Sequence, residues 1–260
     1  MDSENKPIGF FDSGVGGISV LKEAVKVLPH ENFIYFGDSQ NAPYGVKKIE
    51  EVRKLTLNAV DFLVRKDVKA VVVACNTATS AAIDNLRDKY TDIPIIGIEP
   101  ALKPAIELKR EGKIIVMATP MTLSEEKFNN LMKNYDKSSD MQPMPCPGLV
   151  EIIESGVLEG EIVTAYLKDK FVPYMHGKIA AVVLGCTHYP FIRKALSDVL
   201  NNNVPIIDGS SGTVNQLKRQ LDKFGIINNS YSNGKIDIYN SLNNNTIIDL
   251  SYRLLCDSCI

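Results

Sequence analysis

Seven short apolar runs rich in β-branched residues, at 7–12, 33–38, 70–75, 93–98, 113–119, 180–186 and 204–209, constrain this chain more than any other feature. Runs of this length without polar alternation suit strands whose sheet is covered on both faces. Between them lie segments such as ISVLKEAVKVL (18–28), IEEVRKLTLNAVDFLVRK (49–66) and FIRKALSDVL (191–200), whose apolar residues recur at three- and four-residue spacing. That spacing lines one face of a helix, so strands alternate with covering helices and the fold class is α/β with mainly parallel sheets. With 260 residues, 45% of them hydrophobic, the chain can bury the core of one large or two modest domains.

Each run ends in small or polar residues: Asp12-Ser13-Gly14, Gly37-Asp38, Cys75-Asn76-Thr77, Ala118-Thr119, Cys186-Thr187-His188 and Asp208-Gly209. Ligands of doubly wound folds bind at the carboxyl ends of strands, so the chemistry is expected at these tips. Two segments echo each other. AVVVACNTATSAAIDNL (70–86) and AAVVLGCTHYPFIRKAL (180–196) share a strand, a cysteine, a polar pair and a following helix. The repeat predicts two similar α/β lobes, with Cys75 and Cys186 on facing walls of one cleft. The stretch from about Asn228 is Asn-rich and weakly patterned, fit either for an edge strand or for a partly mobile segment, and carries no functional expectation.

A net charge of -2, from 29 basic and 31 acidic residues without a long like-charge run, offers nothing to nucleic acid or an anionic membrane, so a small-molecule ligand is expected. The opening MDSENKPIGFF lacks the basic start and apolar stretch of a signal peptide, which predicts a cytoplasmic protein. Five scattered cysteines in such a chain predict reduced thiols rather than a disulfide framework. Cys256 and Cys259 form a single CxxC without a second pair, so no metal site is expected. Lys47, Lys48 and Lys103 have no context marking a Schiff-base lysine, and no cofactor is expected.

The matched thiols suit inversion at an acidic carbon, where one group removes a proton from one face and another delivers a proton to the opposite face. A free thiol titrates near pH 8.5, so neither protonation state is costly near neutrality. A thiol at a helix start is expected to be acidified by the unpaired N–H groups there. Asn76, Thr77 and Thr187 can point donors at a carboxylate, and His188 can orient or deprotonate the Cys186 thiol. The loop Asp12-Ser13-Gly14-Val15-Gly16-Gly17 permits close backbone approach and exposes N–H groups for an anion. Read as a dinucleotide fingerprint, with Asp38 as the ribose partner, it fails because position 19 is serine and Asp12 would face the pyrophosphate. Asp12 fits an ammonium group or a thiol better, or else caps the turn. In Asn41-Ala42-Pro43-Tyr44-Gly45, a rigid turn after the second run, Tyr44 supplies a hydroxyl or a wall.

Together DSGVGG (12–17), YFGD (35–38), APYG (42–45), ACNTA (74–78) and GCTHYP (185–190) resemble, in order, the signature segments of the aspartate/glutamate racemase family and of its glutamate-specific members. The resemblance runs from about Pro7 to Phe224. It implies two pseudosymmetric doubly wound lobes, one from 1–97 plus 208–260 and one from 98–207, with the site between them. It implies cofactor-free interconversion of L- and D-glutamate, supply of D-glutamate for peptidoglycan, and a homodimer. By motif matching, Cys75 and Cys186 become the acid/base pair, assisted by Asp12 and His188 respectively. Asp12, Ser13, Tyr44, Gly45, Asn76, Thr77, Thr187 and His188 become substrate contacts. Thr119 and Thr122 match a family loop that usually begins Gly-Thr, where this chain has Ala118-Thr119, and Glu154 matches a glutamate near the second lobe's site. A two-thiol cleft does not itself choose the side chain. Racemases of aspartate or hydantoins, isomerases of dicarboxylates and a non-catalytic binder of acidic ligands are the alternatives, and a nicotinamide-dependent oxidoreductase is disfavoured by the broken glycine fingerprint.

Overall fold

Strand and helix alternate along the chain as the spacing predicts. The computed structural model describes residues 3–135 and 140–256. Nine strands are present among them: β1 (Ile8–Asp12), β2 (Phe33–Gly37), β3 (Ala70–Val73), β4 (Ile95–Gly97), β5 (Lys113–Ala118), β6 (Met141–Pro145), β7 (Ile179–Leu184), β8 (Ile206–Asp208) and β9 (Ile236–Asn240). The α-helices among the described residues are α1 (Ile18–Val27), α2 (Ile49–Arg65), α3 (Asn76–Lys89), α4 (Leu102–Glu107), α5 (Pro120–Ser124), α6 (Glu126–Tyr135), α7 (Leu149–Glu154), α8 (Glu161–Phe171), α9 (Arg193–Val199), α10 (Ser210–Phe224) and α11 (Asn245–Cys256). In α2 the buried residues Val52, Thr56, Ala59, Val60 and Leu63 fall on one stripe, the face that covers the sheet. The helix expected at 191–200 begins only at Arg193, because Pro190 sits in a tight 3₁₀ turn over Tyr189–Ile192.

The strands form two parallel sheets, ordered β4-β3-β1-β2-β9 and β6-β5-β7-β8. Strand β9 lies in the Asn-rich tail and is an edge strand, as that stretch suggests. Strand β6, MQPMP, has no counterpart among the sequence expectations. Pro143 and Pro145 cannot donate to a ladder, which suits an edge position beside β5 and hides the strand from an apolar pattern.

In each sheet the chain leaves a central strand toward one side and returns on the other. For the first sheet that strand is β1, with β2 and β3 as neighbours; for the second it is β5, with β6 and β7. Such points open a crevice beyond the strand ends. The echo between the two cysteine segments extends to single backbone bonds. Ala74 donates its N–H to the Phe11 carbonyl at 2.7 Å, and Gly185 donates to the Met117 carbonyl at 2.7 Å. Each bond sets the next residue, Cys75 or Cys186, beside the tip of its central strand.

One apolar cluster joins the sheets: Phe10, Tyr35 and Val72 of the first lie in the same buried group as Ile115 and Val182 of the second, with Leu196 and Leu217 from the helices. A buried ion pair, Lys69 to Glu31 at 2.6 Å, secures the opposite end of the first sheet, where Lys69 also donates to the Glu4 and Ile226 carbonyls. No helix among the described residues is long and apolar enough to cross a membrane.

Candidate active site

The carboxyl ends of both sheets face one cleft that encloses about 460 Å³, part of it open to solvent, and both Cys75 and Cys186 line it. Each thiol follows its strand by two residues and is almost wholly buried.

Cys75 is the N-cap of α3, and its Sγ accepts the Ala78 N–H at 3.5 Å. The Ser13 hydroxyl lies 3.5 Å from the same sulfur. Both neighbours favour the thiolate, yet burial and then the charge of Asp12 outweigh them and push the thiol up to about 12. The expected acidification by the helix start is therefore present as a contact and overruled by desolvation. Cys186 differs, because Cys186, Thr187 and His188 precede a 3₁₀ turn rather than a long helix. Its Sγ lies 3.7 Å from His188 Nδ1. The other ring nitrogen, Nε2, lies 2.7 Å from Glu154 Oε1. Burial alone would strip the proton from His188, but the bonds to Cys186 and Glu154 hold the ring well above its ordinary value, as an imidazolium. Glu154 is pushed up by burial and more than compensated by His188 and the Val15 N–H, so it stays below the ordinary carboxylate value.

The glycine loop packs against Glu154 and the Thr187–His188 segment that follows β7. A Cβ on Gly16 would stand 2.4 Å from His188 Nδ1 and 2.7 Å from Thr187 Oγ1, and one on Gly14 would collide with the Glu154 carboxylate. Glycine is needed here for close approach across the cleft floor. Two of the loop's N–H groups meet carboxylates of the protein itself: Gly14 N–H bonds Asp12 Oδ1 at 2.9 Å and Val15 N–H bonds Glu154 Oε1 at 2.9 Å. Asp12, fully buried at the end of β1, accepts the Thr187 hydroxyl at 2.9 Å through Oδ2. It makes no hydrogen bond to Cys75 among the described residues; Ser13 occupies that place. Burial raises the Asp12 carboxyl above its ordinary value, against the charge of His188 and the Gly14 and Thr187 bonds.

Three threonine hydroxyls cluster beyond Cys75. Thr77 Oγ1 lies 3.2 Å from Thr119 Oγ1 and 3.1 Å from Thr122 Oγ1, and Thr119 and Thr122 are 2.9 Å apart. Thr119 caps α5 through its side chain. Asn76 lines the cleft, and its Oδ1 is buried with no hydrogen-bond partner among the described residues. Tyr44 and Gly45 complete that wall, Gly45 lying against Thr119.

Of the residues singled out by sequence, Ser13, Tyr44, Gly45, Cys75, Asn76, Thr77, Thr119, Cys186, Thr187 and His188 line the cleft together. Asp12, Thr122 and Glu154 are not in the lining: each stands one hydrogen bond behind it, at Thr187, Thr77 and His188 respectively. Sequence reading missed the wall formed by Cys146, Pro147, Gly148, Val150 and Glu151. These residues follow the tip of β6, so the rule that found the other walls would have found this one had the proline-bearing strand been recognised. Burial pushes the Cys146 thiol up to about 12. Lys47 pairs with Glu51 at 2.7 Å and Lys103 faces Glu107 at 3.8 Å, and neither lysine lines the cleft. No cluster of three or more histidine, cysteine or acidic side chains suited to a metal occurs among the described residues. Cys256 is exposed, and Cys259 lies outside the described residues.

A family model for Asp/Glu/hydantoin racemases matches residues 13–227. Over 255 residues the chain is 64% identical to the glutamate racemase of Clostridium acetobutylicum, covering 98% of this chain and 99% of that one. Among solved structures, a glutamate racemase from Bacillus anthracis superposes with a TM-score of 0.87 at 32% identity, over 97% of this chain and 94% of that one. The glutamate racemase of Francisella tularensis, solved with D-glutamate, gives 0.84 at 30% identity over 98% and 95%.

Proposed function

Since the chain belongs to the Asp/Glu/hydantoin racemase family, we propose that it interconverts L- and D-glutamate without a cofactor, with Cys75 and Cys186 as the acid/base pair. The observation that carries this reading is the placement of the two thiols at equivalent strand tips lining one cleft. Glutamate binds with Cα between the sulfurs. One sulfur, as thiolate, takes the α-proton; the electron pair moves into the α-carboxylate as an enediolate; the other thiol returns a proton to the opposite face. The reverse reaction exchanges the roles.

An amino-acid α-proton is far less acidic than a thiol, so stabilisation of the enediolate carries most of the catalysis. Asn76, Thr77 and Thr187 are assigned that task. Ser13, Tyr44, Gly45 and Thr119 hold the rest of the substrate, and Thr122 braces the threonine pair. His188, kept charged by Glu154, stabilises the Cys186 thiolate and returns its proton. Asp12 acts through Thr187 and by its charge on Cys75, rather than by direct contact with the thiol. A substrate ammonium drawn between these groups supplies the positive charge that the Cys75 thiolate needs.

We assign 1–97 with 208–260 to the first lobe and 98–207 to the second; β1–β4 and β9 fall within the first assignment and β5–β8 within the second, apart from Asp208 at the end of β8. The product serves peptidoglycan synthesis in the cytoplasm, and the active form is a homodimer. The test is circular dichroism of L-glutamate in deuterium oxide with purified protein and no additive, followed by proton NMR at Cα. Loss of optical activity with deuterium entering Cα is expected. No change with glutamate, but turnover of aspartate or a hydantoin, would reassign the substrate; no turnover of any would leave a binding protein.

A further inference from the structure

We propose that Asp38 is a positioning residue for substrate binding: its buried carboxylate holds Tyr44, and through Tyr44 the 43–46 turn, where that turn forms the cleft wall. This rests on the reading of Tyr44 and Gly45 as substrate contacts. Asp38 follows directly on β2 and is 5% exposed, yet it does not line the cleft. No basic side chain pairs with it among the described residues. Its solvation comes from two side chains instead: the Tyr44 hydroxyl donates to Oδ2 at 2.7 Å, and Asn41 Nδ2 donates to Oδ1 and Oδ2 at 3.0 and 3.1 Å. A buried carboxylate is tolerated only with such donors, and a phenol-to-carboxylate bond of this length is among the stronger hydrogen bonds.

The bond fixes more than one side chain. Tyr44 is buried with its ring against Phe11, so the hydroxyl and the ring together leave its backbone little freedom. The next residue, Gly45, lies so close to Thr119 that a Cβ there would come within 2.7 Å of the threonine Cβ. Asp38, Tyr44, Gly45 and Thr119 thus form a chain of contacts from the tip of β2 to the tip of β5, and a shift of Tyr44 moves the wall that both sheets share.

The test is steady-state racemisation by Asp38→Ala, Asp38→Asn, Tyr44→Phe, the Asp38→Ala/Tyr44→Phe double variant and Gly45→Ala, with melting temperatures alongside. Losing the bond is expected to raise KM for glutamate about tenfold in Asp38→Ala and Tyr44→Phe alike, with kcat within about twofold. Asp38→Asn keeps an acceptor for the phenol and recovers most of the loss, and the double variant is no worse than either single one, since both break one bond. Additive KM effects, or a lowered melting temperature with unchanged KM in Asp38→Ala, would overturn the positioning role. If Asp38→Ala does not fold, Tyr44→Phe decides alone, and an unchanged KM overturns the proposal. An unchanged KM in Gly45→Ala would instead remove the underlying assignment of this wall to the substrate.

Discussion

Replacing Glu154 by Gln keeps the shape of the side chain and removes the charge that holds His188 protonated. Glu154 Oε1 stands 2.7 Å from His188 Nε2 and also accepts the Val15 N–H at 2.9 Å, in surroundings that leave the His188 side chain 3% exposed. A hydrogen bond to a charged partner in such a place is worth about 1.5–3 kcal/mol, which corresponds to about 1–2 pKa units. The direction follows from the opposing causes at His188. Burial favours the neutral ring, and Cys186 and Glu154 favour the imidazolium, so loss of the Glu154 charge lowers the histidine pKa. The basic limb of the kcat/KM profile therefore moves to lower pH by about 1–2 units, and kcat/KM above that limb falls about 10- to 100-fold. Because the two enantiomers have equal free energy, the fall is the same in both directions. Stability follows the same pair. Its contribution is present in full above the ordinary carboxylate value of 4.5 and below the ordinary histidine value of 6.5, and is lost as the pH falls through the depressed Glu154 value or rises through the elevated His188 value. The assay is the pH–rate profile by circular dichroism, with thermal melts at each pH. A Glu154→Gln enzyme whose basic limb coincides with that of the wild type would refute the coupling.

Two further perturbations probe the cleft from other sides. Gly16→Ala sets a methyl group 2.4 Å from His188 Nδ1; it is expected to cost about 1–3 kcal/mol of stability and about 100-fold in kcat/KM through misplacement of the catalytic segment, and wild-type kinetics would show that the loop does not position it. Glu151 is the only carboxylate in the cleft lining among the described residues, so Glu151→Gln is expected to lower KM for anionic glutamate about threefold at low ionic strength, an effect that fades with salt; a KM unchanged at every salt concentration would show that this charge does not meet the substrate.

The chain discloses its layers and its thiols more readily than the contacts between them. Continuous apolar runs mark β1, β3, β5 and β7, and the likeness of the segments around Cys75 and Cys186 reaches the paired bonds from Ala74 to Phe11 and from Gly185 to Met117. Strand β6 escaped because its two prolines break the pattern, and the Cys146 to Glu151 wall escaped with it. The local helix start predicts an acidified Cys75, whereas desolvation by the whole fold raises the thiol instead. The glycine loop reads from sequence as a cradle for a ligand anion. Two of its N–H groups, those of Gly14 and Val15, are taken by Asp12 and Glu154, and the second partner lies 139 positions along the chain from Val15, beyond any local pattern. The side chains of Asp12, Thr122 and Glu154 each stand one hydrogen bond behind the cleft lining, a placement that motif matching does not separate from direct contact.

The assignment of one thiol to each face of Cα is tested most directly by measuring deuterium entry at Cα separately from inversion, for L- and D-glutamate, in Cys75→Ser and Cys186→Ser. Each variant is expected to lose inversion by at least about 100-fold while still exchanging the α-proton of one enantiomer, the remaining thiol removing and returning it on its own face, and the two variants should prefer opposite enantiomers. Either variant inverting glutamate at the wild-type rate, or both exchanging the same enantiomer, would contradict it.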